Sequence, residues 1–382
     1  MKTYKFRVYP SKTQQKELNT HLWLAKNLWN ELLAHCKQTY NDFGYFPTKN
    51  TLQLMVKGYG MFSQTQQEIS HRVFNSIIRM FKLKKKGKKI GFPRFKSFDR
   101  MKSLHYPQFG FWLNNKLKVA PFGEISIKKH REIKGRIKTL TIKREASGKW
   151  FANFSVEQER KQPKENNGEK VGVDLGLMKF ATFSNGKAVK NPRHFNKHKE
   201  RLAFYQKRLS RKKKKRKNCK AKNMYKAKIK VAKQYEKVSN TRADFLHKLS
   251  SGFVSNYSLI ALEKLASQEM AEQNFGKSIN DAGWGMCANM ICYKAEEAGC
   301  KVVFVDPKNT TQECSNCQNI VKKDITERMH NCSFCGLSID RDLNAARNIL
   351  IRATAGIAGS NACEDETMVS SVKQEAMTSI FS

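Results

Sequence analysis

Four cysteines near the C-terminal end are spaced to hold a metal. Cys314-Ser-Asn-Cys317 and Cys332-Ser-Phe-Cys335 form two CxxC pairs separated by a hairpin-length spacer. Each such turn brings two thiolates to one side of an ion, and a second pair closes a tetrahedron, the ligand set of structural zinc. Two disulfides would use the same residues, but that arrangement suits small secreted domains. Three acids stand apart from this cluster. Asp174 closes the apolar run Val171-Gly-Val, Glu263 ends Leu259-Ile-Ala-Leu, and Asp342 lies in the helix-forming run Asp340-Arg-Asp342-Leu-Asn344. A lone carboxylate at the end of a buried element is costly unless it is paired or bound to metal. Oxygen ligands suit magnesium, which takes few protein groups beside phosphate and water. Two such ions would activate water and stabilise the leaving 3′-oxygen in phosphodiester hydrolysis. Asp340 competes with Asp342 for the third position; Asp342 is preferred, with Asp340 as a helix cap.

The elements that must position these groups can be read from the flanking patterns. An α/β domain is expected over 168–305 and 337–353, with strands carrying Asp174 and Glu263. A further strand is expected at Ala181–Ser184, an amphipathic helix over Ala282–Ala298 and a last strand at Lys301–Asp306. The cysteine pairs fall in an insert over 306–336. Residues 196–240 read as a basic helical insertion broken near Arg211–Asn218. Between Lys197 and Lys237 there are 19 Lys or Arg against two acids, a net +17. Such a hairpin would grip a nucleic-acid backbone without reading its sequence, through Lys212, Lys214 and Arg216 among others.

The first half of the chain has a different texture. Tyr4, Phe6 and Val8 alternate with Lys5, Arg7 and Tyr9, which predicts a strand. Ser11 can cap a helix whose Leu18, Leu22, Ala25, Leu28, Trp29, Leu32 and Leu33 recur at three- and four-residue steps. Two more helices are expected near 49–57 and 64–84. The second carries Gln64, Gln67, Arg72, Asn75 and Arg79 on polar positions, and the segment Gly91-Phe-Pro-Arg94-Phe-Lys96 follows. Gln and Asn are suited to base edges and Arg and Lys to phosphates, although a solvated helix face has the same composition. Short alternating runs from about Ser103 to Arg160, divided by glycine turns, predict strands. With the first strand they would build an antiparallel barrel from 1–10 and 101–165, into which a helical lobe of 11–100 is inserted. The fold class is therefore α+β and multidomain. From residue 354 to 382 periodicity is lost and disorder is expected.

Charge narrows the partners. The 382 residues hold 73 Lys plus Arg against 32 Asp plus Glu, a formal charge of +41. Self-repulsion on that scale is offset by a polyanion, and counterion release from nucleic acid supplies the drive. A membrane is not the expected surface: there is no long apolar run, lipidation motif or secretory leader. Six further cysteines lie outside the paired motif without a framework, which fits a reducing cytoplasm.

Taken together, VGVDLG at Asp174, IALEKL at Glu263, the CSNC and CSFC pairs and DRDLNAARNIL resemble the TnpB family, transposon-encoded proteins related to compact type V CRISPR effectors. YKFRVYP, GFPRFK and KSINDAGWG extend the likeness to nearly the whole chain as far as about residue 352. The resemblance implies a RuvC-like (RNase H-like) nuclease domain, a β-barrel wedge, a helical recognition lobe and a zinc ribbon that loads target. It implies Asp174, Glu263 and Asp342 as ligands of two magnesium ions, and Cys314, Cys317, Cys332 and Cys335 as zinc ligands. The implied activity is RNA-guided cleavage of double-stranded DNA beside a short transposon-adjacent motif, one protein per guide RNA, in a prokaryotic cytoplasm. Gln318 departs from relatives that often carry Gly after the first pair, a change expected to touch a turn and not a ligand. A regulator that binds without cutting is the alternative, but three intact acids would repel phosphate in a pure binding protein. Strand joining by a catalytic tyrosine is not supported, since no Tyr lies near a His-hydrophobe-His motif.

Overall fold

The computed structural model describes residues 1–159, 166–214, 222–265, 270, 276–324 and 326–355. The chain divides into two compact units, Met1–Arg160 and Lys161–Ser382.

In the first unit the alternating N-terminal run forms β1 (Lys2–Tyr9) and buries Tyr4, Phe6 and Val8. Six more strands follow: β2 (Ser103–Tyr106), β3 (Phe111–Leu113), β4 (Leu117–Val119), β5 (Gly123–Lys128), β6 (Arg136–Arg144) and β7 (Trp150–Glu157). They form one sheet in the order β2-β6-β7-β1-β5-β4-β3, antiparallel at every pairing. Its two edge strands are consecutive in sequence. The Ala120 N–H donates to the Gly110 carbonyl at 2.8 Å, extending the β3–β4 ladder, and the Tyr106 hydroxyl of β2 donates to the Ala120 carbonyl at 2.8 Å across the gap, so the sheet is nearly closed. The run expected at Phe109–Phe111 begins two residues later, because Gly110 takes a turn conformation at φ 88°.

Three helices interrupt this sheet after β1. α1 (Lys12–Phe43) starts in a capping box, Gln14 N–H onto the Ser11 hydroxyl and Ser11 N–H onto the Gln14 side chain. It buries the predicted leucine stripe and stops at Gly44, φ 74°. α2 (Lys49–Leu54) and α3 (Ser63–Lys85) pack beside it and share one core with the sheet.

The second unit is built on a five-stranded sheet. Its strands are β8 (Glu169–Asp174), β9 (Lys179–Phe183), β10 (Ala188–Lys190), β11 (Tyr257–Glu263) and β12 (Lys301–Val305), in the order β10-β9-β8-β11-β12. β8, β11 and β12 run parallel, whereas β9 and β10 form antiparallel hairpins on the β8 side. The central strands are apolar and buried over Val171–Val173 and Leu259–Leu262, as expected where both faces of a strand are covered. Between β10 and β11 lie α4 (His194–Lys214) and α5 (Lys222–Asn256); α5 runs well past the end of the basic insertion expected over 196–240, and the expected break reaches into residues 215–221, which lie outside the described ones. The helix expected over 282–298 is α7 (Trp284–Ala298), which starts two residues later because Gly283, at φ 69°, separates it from a short preceding helix, α6 (Gly276–Ala282). A small hairpin of β13 (Met329–Asn331) and β14 (Ser338–Asp340) leads into α8 (Arg341–Ala355). That helix continues one residue past the start of the expected disordered tail; residues 356–382 lie outside the described ones.

α8 lies directly on β8. A Cβ built on Gly172 would stand 2.1 Å from the Ala346 carbonyl oxygen and 2.7 Å from the Leu350 nitrogen. Ala345, Ala346, Ile349 and Ala353, all small or apolar and fully buried, form the face that permits this approach. Gly172→Ala is therefore expected to destabilise the protein by about 3 kcal/mol through overpacking against backbone. A thermal melt should fall by roughly 6–12 °C for that loss, and an unchanged melt would show that α8 can shift freely.

Candidate functional site

The parallel pairing of β8 and β11 brings two of the three acids together. Leu262 stands opposite Val173, so the residues that follow, Glu263 and Asp174, leave the sheet side by side at its C-terminal edge. This edge is where open α/β sheets present ligand-binding groups. The third acid arrives from α8, whose first turn holds Asp342 over β8. Burial, then the neighbouring Glu263 and Asp342 carboxylates, push the Asp174 carboxyl up to about 8, with Arg341 pulling the other way. Burial also raises Glu263, against the Thr310 hydroxyl and the Arg352 charge. The Asp174 carboxyl, raised by burial and by its acidic neighbours, is a group that a divalent cation would deprotonate and hold. The oxygen-only donor set of the three acids matches magnesium.

Asp340 has a different task. Its Oδ1 accepts from the Asp342 and Leu343 N–H groups at 2.9 and 3.2 Å, capping α8. Its Oδ2 meets Lys179 Nζ at 2.9 Å. Burial opposes ionisation here, but the Lys179 ammonium and the two amides hold the carboxyl below the usual range. Asp342 is left to its Arg341 neighbour, 3.5 Å away.

The four cysteines converge. All four Sγ atoms lie within 4.8 Å of one another, with Cys314–Cys335 at 3.6 Å and Cys317–Cys332 at 3.5 Å. These separations exceed a covalent S–S bond of ~2.05 Å and approach the ~3.8 Å edge of a tetrahedron with 2.3 Å metal–sulfur bonds. The two turns are equivalent: Gln318 N–H donates to the Cys314 carbonyl at 2.9 Å and Gly336 N–H to that of Cys332 at 3.0 Å. Both residues are left-handed, at φ 62° and 73°. Gln318 thus occupies a glycine-type position without disturbing a ligand. The Asn316 side chain, then the Leu337 amide, lower the Cys335 thiol to about 6, favouring the thiolate that a metal requires. The donor set and spacing fit zinc.

A stripe on α8 ties this cluster to the acids. Asn344 and Asn348, both fully buried, and Arg352 follow at four-residue steps on one face. Asn344 donates to the Glu313 carbonyl at 2.6 Å and accepts from Ser315 N–H at 2.9 Å. Asn348 donates to the Thr310 and Glu313 carbonyls at 2.9 and 2.7 Å. Arg352 reaches the carbonyls of Asp306 and Lys308 at 2.9 and 2.6 Å, and the Glu313 carboxylate at 2.6 Å. Sequence reasoning passed over these residues, although Asn-x-x-x-Asn-x-x-x-Arg on a helix is itself a one-face polar signal.

The residues proposed for nucleic acid are scattered in their environments. Gln64 accepts from Phe109 N–H at 2.9 Å and is half-buried, as is Gln67. Arg72 is partly buried, with Glu68 beside it. Asn75, Arg79 and Arg94 are exposed. Lys96 places its ammonium 3.2 Å from the Trp29 ring centroid, and its backbone is bracketed by Asn30 at 2.8 and 3.0 Å. Burial and then the Arg72 charge lower it to about 7. Lys212 donates to the Asn223 carbonyl at 3.3 Å, bridging α4 and α5. Lys214 ends α4; Arg216 lies outside the described residues.

An α/β sheet with acids at its carboxyl edge and a four-cysteine knuckle beside the third acid defines a class, the compact Cas12f-like fold. A solved chain titled "Cryo-EM structure of the Cas12f1-sgRNA-target DNA complex" matches with a TM-score of 0.59 at 16% identity, covering 89% of this chain and 83% of that one. Three family models match in sequence: OrfB_IS605, "Probable transposase", at residues 153–274; "Cas12f1-like, TNB domain" at 284–349; and "Helix-turn-helix domain" of OrfB_IS605 at 1–44. The last span is one strand and one long helix here. Proteins of Escherichia coli (strain K12) and Streptomyces pristinaespiralis are 27% and 29% identical, over 94% and 98% of this chain and 94% and 96% of their own. Both carry the name "Putative RNA-guided DNA endonuclease", with InsQ added for the first. The Cas12f1 endodeoxyribonuclease of Sulfoacidibacillus thermotolerans is 50% identical over 62 residues, 16% of this chain and 15% of its own. Over these three stretches, and along most of its length to the first two relatives, the chain is similar to the OrfB proteins of IS605-type elements, in line with the TnpB resemblance of its motifs.

Proposed function

We propose that this chain is an RNA-guided DNA endonuclease of an insertion sequence, with a RuvC-like domain that hydrolyses target DNA beside a transposon-adjacent motif. The observation that carries the reading is the meeting of Asp174 and Glu263 at the ends of adjacent parallel strands, with Asp342 brought over them by α8. The order β10-β9-β8-β11-β12, with three parallel strands after an antiparallel pair, supports the RNase H-like assignment. A pair of magnesium ions held by the three carboxylates would supply an activated water and neutralise charge on the leaving 3′-oxygen. The protein's own part is to orient the acids. Thr310 holds Glu263 at 2.5 Å, and Lys179 draws Asp340 away from the other three. Zinc on the four cysteines would fix the target-loading knuckle. The basic α4–α5 hairpin and the sheet face bearing Lys5, Arg7 and Phe151, where both cations lie over the ring, fit backbone contacts with guide RNA and DNA. One protein per guide RNA, acting in a prokaryotic cytoplasm and maintaining the transposon, completes the reading. Among the described residues no helix is long and apolar enough to cross a membrane.

The test is cleavage of a plasmid library by protein purified with RNA from its own locus. Guide-directed double-strand breaks that need magnesium and disappear with EDTA are expected, and the surviving sequences would reveal the adjacent motif. Guide-directed binding with no cutting would replace the nuclease by a silent DNA-binding regulator.

A further inference from the structure

We propose that Thr310 is a positioning residue that aims the Glu263 carboxylate into the divalent-cation site, and that Asn348 and Arg352 of α8 fix the loop carrying it. The inference rests on the carboxylate reading above and adds to it a residue outside the acids. Glu263 leaves the end of β11 on a long side chain, and three torsions would let its carboxylate sample many directions. The Thr310 hydroxyl, 2.5 Å from Glu263 Oε1, selects one of them. Thr310 can do so because it cannot itself move: it is 2% exposed, and its branched Cβ restricts the torsion that directs the hydroxyl. Its main chain is held as well. The Thr310 carbonyl accepts from Asn348 at 2.9 Å, and Arg352 pins Asp306 and Lys308 just upstream. On the downstream side, Asn344 and Asn348 hold the loop at Glu313, one residue before Cys314.

This arrangement gives the two buried asparagines a purpose that packing alone does not. A loop merely covering the helix could do so with apolar residues, without the desolvation of two amides. The bonds fix the loop at the residue that reaches Glu263. They also make α8, which presents Asp342 at its start, the common frame for two acids on different elements.

The test uses the full chain and Mn²⁺ as the probe, with affinity read from water-proton relaxation. Groups that orient metal ligands typically contribute about 10–100-fold to affinity. Thr310→Val, which keeps the branch and the main-chain acceptor, is expected to weaken Mn²⁺ binding about tenfold with unchanged zinc content. Thr310→Ser, which keeps the hydroxyl, should restore most of the affinity. Wild-type affinity in Thr310→Val, beside an Asp174→Ala control that has lost binding, would overturn the positioning role and leave the carboxylate site standing. Equal losses in the Ser and Val variants would also overturn it, since the methyl group and not the hydroxyl would then matter. If Asp174→Ala binds Mn²⁺ normally, the carboxylate reading falls and the role of Thr310 with it.

Discussion

Asp174→Asn is expected to abolish cleavage and, without divalent cation, to make the protein more stable than the wild type at pH 8. The activity loss should be at least a thousandfold, about 4 kcal/mol of transition-state stabilisation. Its stability effect follows from the sign of the perturbation. Burial and the neighbouring carboxylates raise the folded-state Asp174 carboxyl to about 8. A group raised in this way contributes stability that is present at low pH and is lost as pH climbs through the folded value. The metal-free wild type should therefore weaken between about pH 4 and pH 8 and level off above, while the neutral amide of the variant has no charge to repel Glu263 and Asp342. At ~1.4 kcal/mol per pH unit, the difference at pH 8 amounts to several kcal/mol. Magnesium should reverse the ranking by stabilising the wild type, with proton release, and leaving the variant unmoved. Melting curves across pH, with and without magnesium, measure all of this. A variant that is less stable than wild type at pH 8 without metal would show that Asp174 is not held under repulsion.

What the sequence disclosed was whatever local pattern determines. Spacing alone located the cysteine cluster, because a CxxC turn is a local object. Apolar runs ending in one acid located β8 and β11, since a strand buried on both faces has no alternative composition. Ser11, Gln14 and the leucine steps set out α1 for the same reason. The contacts that stayed hidden join distant residues. Nothing near Gly172 says that Ala346 will lie against it, and nothing near Thr310 says that Glu263, 47 residues earlier, will accept its hydrogen bond. Lys96 has the charge of a phosphate contact, yet its ammonium rests on Trp29, a neighbour that only folding supplies. Gly283 sits within a helical pattern in the sequence; its left-handed conformation is what ends one helix and begins the next.

These hidden contacts share a logic. The three acids come from two strands and one helix, so no single element can set their separation. The fold sets it by bringing α8 against backbone at Gly172 and tying that helix through Asn344, Asn348 and Arg352 to the loop after β12. The loop leads straight into Cys314. Any disturbance of the cysteine cluster therefore has a short covalent and hydrogen-bonded route to Glu263.

From that route comes the second large effect. Removing zinc with a chelator, or replacing Cys332 by Ser, should release the segment 306–340 while the five-stranded sheet remains folded. Structural zinc contributes on the order of 10 kcal/mol to domains that fold around it, far more than a hairpin of three-residue strands can supply alone. The sheet has separate support, since its main core contains none of the cysteine ligands. Amide exchange should then rise by several orders of magnitude across β13, β14 and the loop at Thr310, with β8, β11 and β12 still protected. Cleavage should fall with it, because Thr310 loses the loop order that holds it on Glu263. Added zinc should restore the chelated wild type and not the Cys332→Ser variant. Protection that persists at Thr310 in the zinc-free protein would mean that the bonds from α8 suffice by themselves, and the coupling of knuckle to acids would then run through that helix alone.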